Sequence, residues 1–137
     1  MSDGHVFLTR RIVFSASHRL YNPELSDEMN WKIFEKCSYE NGHGHNYVLY
    51  VTLKGVPDIK TGMIMNVSIL KKMIEEHVLN DFDHRHLNHD VEEFKTLLSS
   101  VENISIVIWN RLKPLLKDLL FEVKVVETEN IFAVYRG

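Results

Sequence analysis

The chain predicts an α+β fold, a four-stranded antiparallel sheet with two helices packed on one face. Three observations lead there. Apolar residues alternate with period two near both ends of the chain. Two stretches of helical periodicity lie together in its middle, and clusters of Asn, Asp, Ser and Gly separate the segments. The order strand, strand, helix, helix, strand, strand groups the strands outside a helical pair, which favours one sheet burying one face against both helices.

The first strand is read over Leu8 to Leu20. Ile12, Phe14, Ala16, His18 and Leu20 fall on one side of the alternation, and Arg11, Val13, Ser15, Ser17 and Arg19 on the other. Asn46 to Lys54 repeats the pattern, with Tyr47, Leu49, Val51 and Leu53 continuing a face that begins at His43 and His45. About 25 residues join these strands and carry the turn signals Asn22-Pro23, Ser26-Asp27 and Asn41-Gly42. That is longer than most connections, which marks the segment as functional, and a short helix is expected over Asp27 to Lys36.

Asn66 is read as the N-cap of a helix through about Asn80, in which Val67, Leu70, Met73, Ile74 and Val78 recur at helical spacing. Lys71-Lys72 and Glu75-Glu76 form its solvated face. The acidic, histidine-rich stretch Asp81 to Asp90 reads as a loop. Ser99-Ser100-Val101-Glu102 then supplies a capping box, with Glu102 at the third helical position ahead of Ile104, Val107, Ile108 and Leu112. Pro114, which has no N–H to donate, is expected to kink or end this second helix. Phe121 to Thr128 and Ile131 to Arg136 close the chain as a hairpin around Glu129-Asn130. Four strands leave unpaired edges, which favours oligomerisation.

With 137 residues and 45% hydrophobic content, residues 1–137 fit a single domain with its own core. A formal net charge of -3 gives no overall attraction to nucleic acid or to an anionic membrane. No run of about 18 apolar residues is present, and Met1-Ser2-Asp3-Gly4-His5 lacks the order of a signal peptide, so a soluble, cytoplasmic chain is expected. Cys37 is the only cysteine, which excludes an internal disulfide.

His18, His43 and His45 each stand where an apolar strand face ends. His43 and His45 share a face if their stretch is extended, and three neutral imidazoles with an open fourth position describe a catalytic zinc site with ligand distances of about 2.0–2.1 Å. Eight histidines in the chain leave satisfied core histidines as the other reading. Five residues, Ser38 to Gly42, separate Cys37 from His43, so a turn can bring its sulfur beside a metal-bound substrate. A neighbouring cation would then lower its pKa from about 8.5, and an inert thiol is the alternative. Asp83-His84 has the composition of a proton-transfer pair, or of a solvated charged loop. Glu127 ends the apolar face Phe121, Val123, Val125. An inward carboxylate needs donors, which either a heterocycle's adjacent N–H groups or backbone amides supply. Glu102 reads as a ligand contact or simply as part of its cap.

These residues, taken in order, resemble the 6-pyruvoyl-tetrahydropterin synthase family of animal type over nearly the whole chain. The resemblance is carried by Arg11-Ile12 and Phe14 to Leu20, Lys36-Cys37, Asn41 to Tyr47, Gly62-Met63, Met65-Asn66, Asp83-His84 through Leu87, Glu102-Asn103 and Glu127-Thr128 with Asn130. It implies a tunnelling fold in which trimers form a continuous β-barrel and two trimers stack as a homohexamer, with active sites at subunit interfaces. It implies zinc on His18, His43 and His45, and Cys37 as the proton-abstracting base. Asp83 and His84 would reach in from a neighbouring subunit, and Glu127 would anchor the pterin ring. The segment Ser100 to Asn103 would cradle the pterin; the animal-type pattern has Thr at Ser100 and Val101, so only backbone or Ser hydroxyl contacts carry over. The implied reaction converts 7,8-dihydroneopterin triphosphate to 6-pyruvoyl-tetrahydropterin with loss of triphosphate. Arg10, Arg11, Arg19 and Lys32 are candidates for the triphosphate, and Mg²⁺ on those phosphates is a further candidate cofactor. Two alternatives stand beside this one, a 6-carboxy-tetrahydropterin synthase of the queuosine type and a non-catalytic pterin- or zinc-binding module. The queuosine-type pattern has three residues between its cysteine and the His-x-His pair and Asp at Asn66, so both positions favour the biopterin enzyme.

Overall fold

A computed structural model describes residues 4–137. The stretch bearing on a leader, Met1 to Asp3, lies outside the described residues. The elements run β1 (Val6–His18), α1 (Asp27–Phe34), β2 (His43–Gly55), α2 (Val67–Ile74), a π-turn over Glu75–Leu79, α3 (Asn80–Phe82), β3 (Arg85–His86), α4 (Leu87–Asp90), α5 (Val101–Leu116), β4 (Leu120–Thr128) and β5 (Ile131–Tyr135). The sheet order is β3-β1-β2-β4-β5. The expected four antiparallel strands are all present, and the α+β class holds. The sheet nevertheless has five strands and is mixed, because β3 lies parallel to β1 through Ala16↔Arg85 and Ser17↔His86. Two residues show no periodicity, so nothing in the sequence marks them as a strand.

Alternation sorts the faces. Phe14, Ala16 and His18 of β1, Tyr47, Leu49, Val51 and Leu53 of β2, and Val123 and Val125 of β4 are buried together with Leu70 and Ile74 of α2 and Ile104, Ile108 and Leu112 of α5. On the opposite face Val13 is 49% and Phe132 54% exposed, and Thr9 pairs with the buried Thr52 across the strands at 2.8 Å. At about 25 cal/mol per Å² of apolar area, the buried face is the main favourable contribution to the fold.

Local chemistry explains most boundaries. Ser26 Oγ accepts from the Met29 N–H at 3.1 Å and starts α1, and Asn66 Oδ1 accepts from Ser68 N–H at 2.9 Å and starts α2, as its side chain predicts. The α-helical hydrogen bonding stops at Ile74, where the π-turn inserts an extra residue. The capping box shifts by one. Ser100 is the N-cap of α5 and accepts from Asn103 N–H at 3.2 Å, so Glu102 stands at the second helical position and makes no box. Pro114 is inside α5, which ends two residues later at Leu116, followed by Lys117 at φ 51°. So late a proline breaks little, since most of the helix's hydrogen bonds lie before it.

Candidate metal and pterin site

β-pairing builds the site. His18 stands directly opposite His43 in the β1–β2 register, and His45 is two residues along the same strand, so all three rings emerge on the core face at one end of the sheet. Gly42 makes this approach feasible. Its φ is +72°, and a Cβ there would lie 2.6 Å from the His18 carbonyl oxygen. His18 Nε2 is 3.1 Å from His43 Nε2, and the ligating atoms of the three histidines lie within 4.8 Å of one another.

The chemistry of the three rings fits zinc. His18 is 1% exposed, and its Nδ1 lies 2.7 Å from the Ser99 carbonyl, which only accepts, so the proton sits on Nδ1 and the Nε2 lone pair faces the other rings. Burial, aided by the His43 and His45 charges and opposed by the Ser99 bond, lowers the His18 pKa to about 4. Burial and then His45 lower that of His43. Both are therefore neutral at pH 7, the form a metal requires. His45 Nε2 is buried with no hydrogen-bond partner, a costly state for a polar atom unless something fills it. Among the described residues this is the group of His, Cys, Asp or Glu that could hold a metal ion.

Glu127 closes the cluster from β4. Its Oε1 lies 3.8 Å from His45 Nε2 and its Oε2 4.0 Å from His18 Nε2. The register irregularity between Val126 and Thr128 falls on this residue. Burial, reinforced by Glu102 and offset by His45, pushes its carboxyl up. Glu102, released from the cap, is close enough for its charge to raise Glu127. Ser100 Oγ is engaged as the N-cap acceptor, which leaves its hydroxyl proton for a further contact.

Cys37 sits half-buried in the turn of 3-10 helix before β2. Burial first, then the charges of Glu127 and Glu35, push its thiol up. The lowered pKa anticipated for this residue therefore requires a cation beside it. Asp83 and His84 make contacts of their own, although His84 lines the same open cavity as His45. His84 Nδ1 is 3.0 Å from Asp83 Oδ1, Ser15 N–H donates to Asp83 Oδ1 at 2.9 Å, and His84 N–H donates to the Ser15 carbonyl at 2.6 Å. The Ser15 amide, with help from His84, lowers the Asp83 pKa. Among the described residues no hydrogen bond, ion pair or ring contact joins this pair to Cys37 or to the three imidazoles, and the His84 side chain is 82% exposed. Of the basic residues considered for triphosphate, Arg19 donates from Nε to the Ser38 carbonyl at 2.8 Å and lies over the Tyr21 ring, whereas Arg10 Nε is buried without a partner.

Sequence reasoning passed over two participants. Ser99, fully buried, orients His18 through its carbonyl while its hydroxyl reaches Asn88 Oδ1 at 3.2 Å. Tyr47 is 0% exposed, its hydroxyl is buried without a partner, and its ring stands edge-on to His18 and His45 at 6.1 and 5.5 Å. The alternation that links Tyr47 to His45 was a usable signal for it, whereas nothing local marks Ser99.

The family model described as 6-pyruvoyl tetrahydropterin synthase matches residues 7–137. A 6-pyruvoyl tetrahydrobiopterin synthase of Dictyostelium discoideum is 54% identical over 132 residues, covering 96% of this chain and 96% of its own. The Homo sapiens protein of the same name is 49% identical over 131 residues, 95% of this chain and 90% of its own. The solved structure of Caenorhabditis elegans 6-pyruvoyl tetrahydropterin synthase matches with a TM-score of 0.93 at 41% identity, over 97% of this chain and 96% of that one. Sequence and fold agree along almost the full length, and the chain belongs to the 6-pyruvoyl tetrahydropterin synthase family.

Proposed function

We propose that this protein is a lyase that converts 7,8-dihydroneopterin triphosphate to 6-pyruvoyl-tetrahydropterin with elimination of triphosphate, in tetrahydrobiopterin biosynthesis. The observation that carries this reading is the convergence of His18, His43 and His45 beside Glu127, with His45 Nε2 buried and unpaired, in a chain of this family. His18, His43 and His45 would hold zinc, which when bound supplies Lewis-acid polarisation of a hydroxylated side chain and lowers nearby pKa values.

The chain's own residues do the rest. Glu127 accepts two hydrogen bonds from adjacent N–H groups of the pterin ring, an arrangement suited to a carboxylate with few partners of its own. Glu102, whose charge acts on the same carboxylate, and Ser100, at the start of α5, contact the ring. Cys37, as thiolate, takes a proton from a side-chain carbon. The C–H electron pair forms the new double bond as the C–O bond to triphosphate breaks, and triphosphate leaves with the electron pair of that C–O bond. Asp83 and His84 return and relay protons in the tautomerisation that gives the diketo side chain, so hydrogen moves internally and no nicotinamide is consumed. Arg10, Arg11, Arg19 and Lys32 are the candidates to meet the triphosphate, with Mg²⁺ bound to it.

Because no contact joins Asp83 and His84 to Cys37 and the His84 side chain is exposed, they serve the site of a neighbouring copy. Two features support closure into a trimeric barrel and a stacked homohexamer: β5 ends the sheet, and on β1 only Ala16 and Ser17 pair with β3. Residues 1–137 act as a single domain in the cytoplasm. No helix among the described residues is long and apolar enough to cross a membrane, and neither nucleic acid nor a lipid surface is a partner in this reading.

The test is turnover of dihydroneopterin triphosphate by wild type and Cys37→Ala, with the product identified by mass and zinc measured per chain. Wild type should release triphosphate and form the pyruvoyl product, and the variant should keep zinc and lose most product. Full activity in Cys37→Ala removes Cys37 as the base. Tight pterin binding without released triphosphate, or a carboxy-tetrahydropterin product, overturns the reaction.

A further inference from the structure

We propose that Arg111, on α5, is a positioning residue for the Asp83–His84 pair, an inference that rests on the proton-transfer role given to that pair above. Arg111 gathers both ends of the segment that carries them. Its Nε and Nη2 donate to the two Glu93 oxygens at 2.8 and 2.7 Å, and its Nη1 donates to Asp81 Oδ2 at 2.6 Å and to the His77 carbonyl at 3.0 Å. Asp81 lies just before Asp83, and Glu93 just after α4. One guanidinium therefore closes residues 81–93 into a loop and ties it to the π-turn before it.

The connection from Arg111 to the pair is contiguous. The guanidinium carbon lies 5.2 Å over the ring of Phe82, which is fully buried and meets Phe14 edge-on at 5.8 Å. Phe14 precedes Ser15, whose N–H and carbonyl hold Asp83 and His84. The Asp83 N–H donates to the Leu79 carbonyl at 2.8 Å, at the end of the π-turn that Arg111 grips through His77. His84 has φ 61°, a left-handed conformation that a non-glycine residue keeps only when its surroundings hold it. The segment has little regular structure of its own, a two-residue strand and a four-residue helix. A planar fork making four bonds is suited to hold it, and a lysine ammonium cannot reproduce the bidentate grip on Glu93.

The experiment uses the full chain with zinc bound, as Arg111→Met, Arg111→Lys, Asp81→Asn and Glu93→Gln. Steady-state turnover, zinc per chain and amide exchange are read on each. Arg111→Met should lower kcat about tenfold or more, with KM and zinc content within about twofold of wild type, and Arg111→Lys should recover part of the loss. The His84 amide should exchange at least about tenfold faster while the Leu49 and Val51 amides keep their protection. Adding Asp83→Asn to Arg111→Met should cost clearly less than Asp83→Asn costs alone, since both act on one pair. Additive losses, unchanged His84 exchange, or a kcat loss matched by an equal loss of zinc-bound protein would overturn the proposal. If Arg111→Met does not fold, the single-arm variants carry the same readouts. If wild type releases no triphosphate, the reaction assigned above fails on its own, and His84 exchange still decides whether Arg111 holds the pair.

Discussion

The imidazole cluster and the Asp83–His84 pair are both anchored to the end of β1, yet they are held in opposite ways. The cluster is set by strand register: His18 faces His43 across one ladder, its ring is buried, and a backbone carbonyl orients it. The pair leans on the backbone of Ser15 from a segment with little structure of its own, and the His84 side chain is open to solvent. A metal site must present three atoms at one point before any ion arrives, so it is built on rigid strands. In the proposed reading the pair serves a neighbouring copy, and such a pair has to stand proud of its own subunit.

The sharpest break of this contrast is His45→Ala. Zinc per chain should fall below about a tenth of the wild-type value, and activity with it, because a three-ligand site loses its chelation when one ligand goes. Metal analysis of the purified variant checks this, and retained zinc would mean that the triad is structural. Asp83→Asn should act the other way, with zinc unchanged and kcat reduced by about 10²–10⁴-fold, the range for a positioned proton-transfer group. Equal losses of metal and rate in both variants would erase the distinction between the two regions.

Gly42→Ala probes the cluster without touching a ligand. Its positive φ and the 2.6 Å approach to the His18 carbonyl oxygen cannot both survive a Cβ, so β1 and β2 must separate there. Stability should fall by more than about 1 kcal/mol and zinc affinity should weaken. Urea titration and competition with a chelator measure the two.

The smallest effect concerns the segment carrying the pair. The Arg111 hydrogen bonds hold the Glu93 carboxyl below its ordinary value of 4.5. A carboxyl lowered in the folded state contributes stability that is present above 4.5 and is lost as pH falls through the lower folded value. The stability difference between wild type and Glu93→Gln should therefore be largest above pH 4.5 and shrink below it. Urea melts across that range would refute this if the difference stayed constant.

How much was legible follows the range of each interaction. The strand alternation that ends in His18 and His45, the Asn66 cap and the closing hairpin are written in neighbours two to four residues apart, and all appear. The capping box failed because Ser99 and Ser100 offer the same local chemistry. What assigns the cap to Ser100 is the distant use of Ser99, whose carbonyl meets His18 and whose hydroxyl meets Asn88. For Cys37 the expected lowering of the pKa depends on a cation beside it; without one, burial and two nearby carboxylates, which no spacing reveals, push the thiol up.

The sequence by itself determined the α+β class, the faces of the main strands and the identity of the three imidazoles, because side-chain period and residue type are local properties. Only the tertiary structure decided the fifth strand, the convergence of Glu127 on His18 and His45, the orphaned nitrogen of His45 and the hold of the Ser15 backbone on Asp83–His84. Each of these depends on where chain segments remote in sequence meet. That is set by packing of the whole core rather than by any pattern a short stretch can carry.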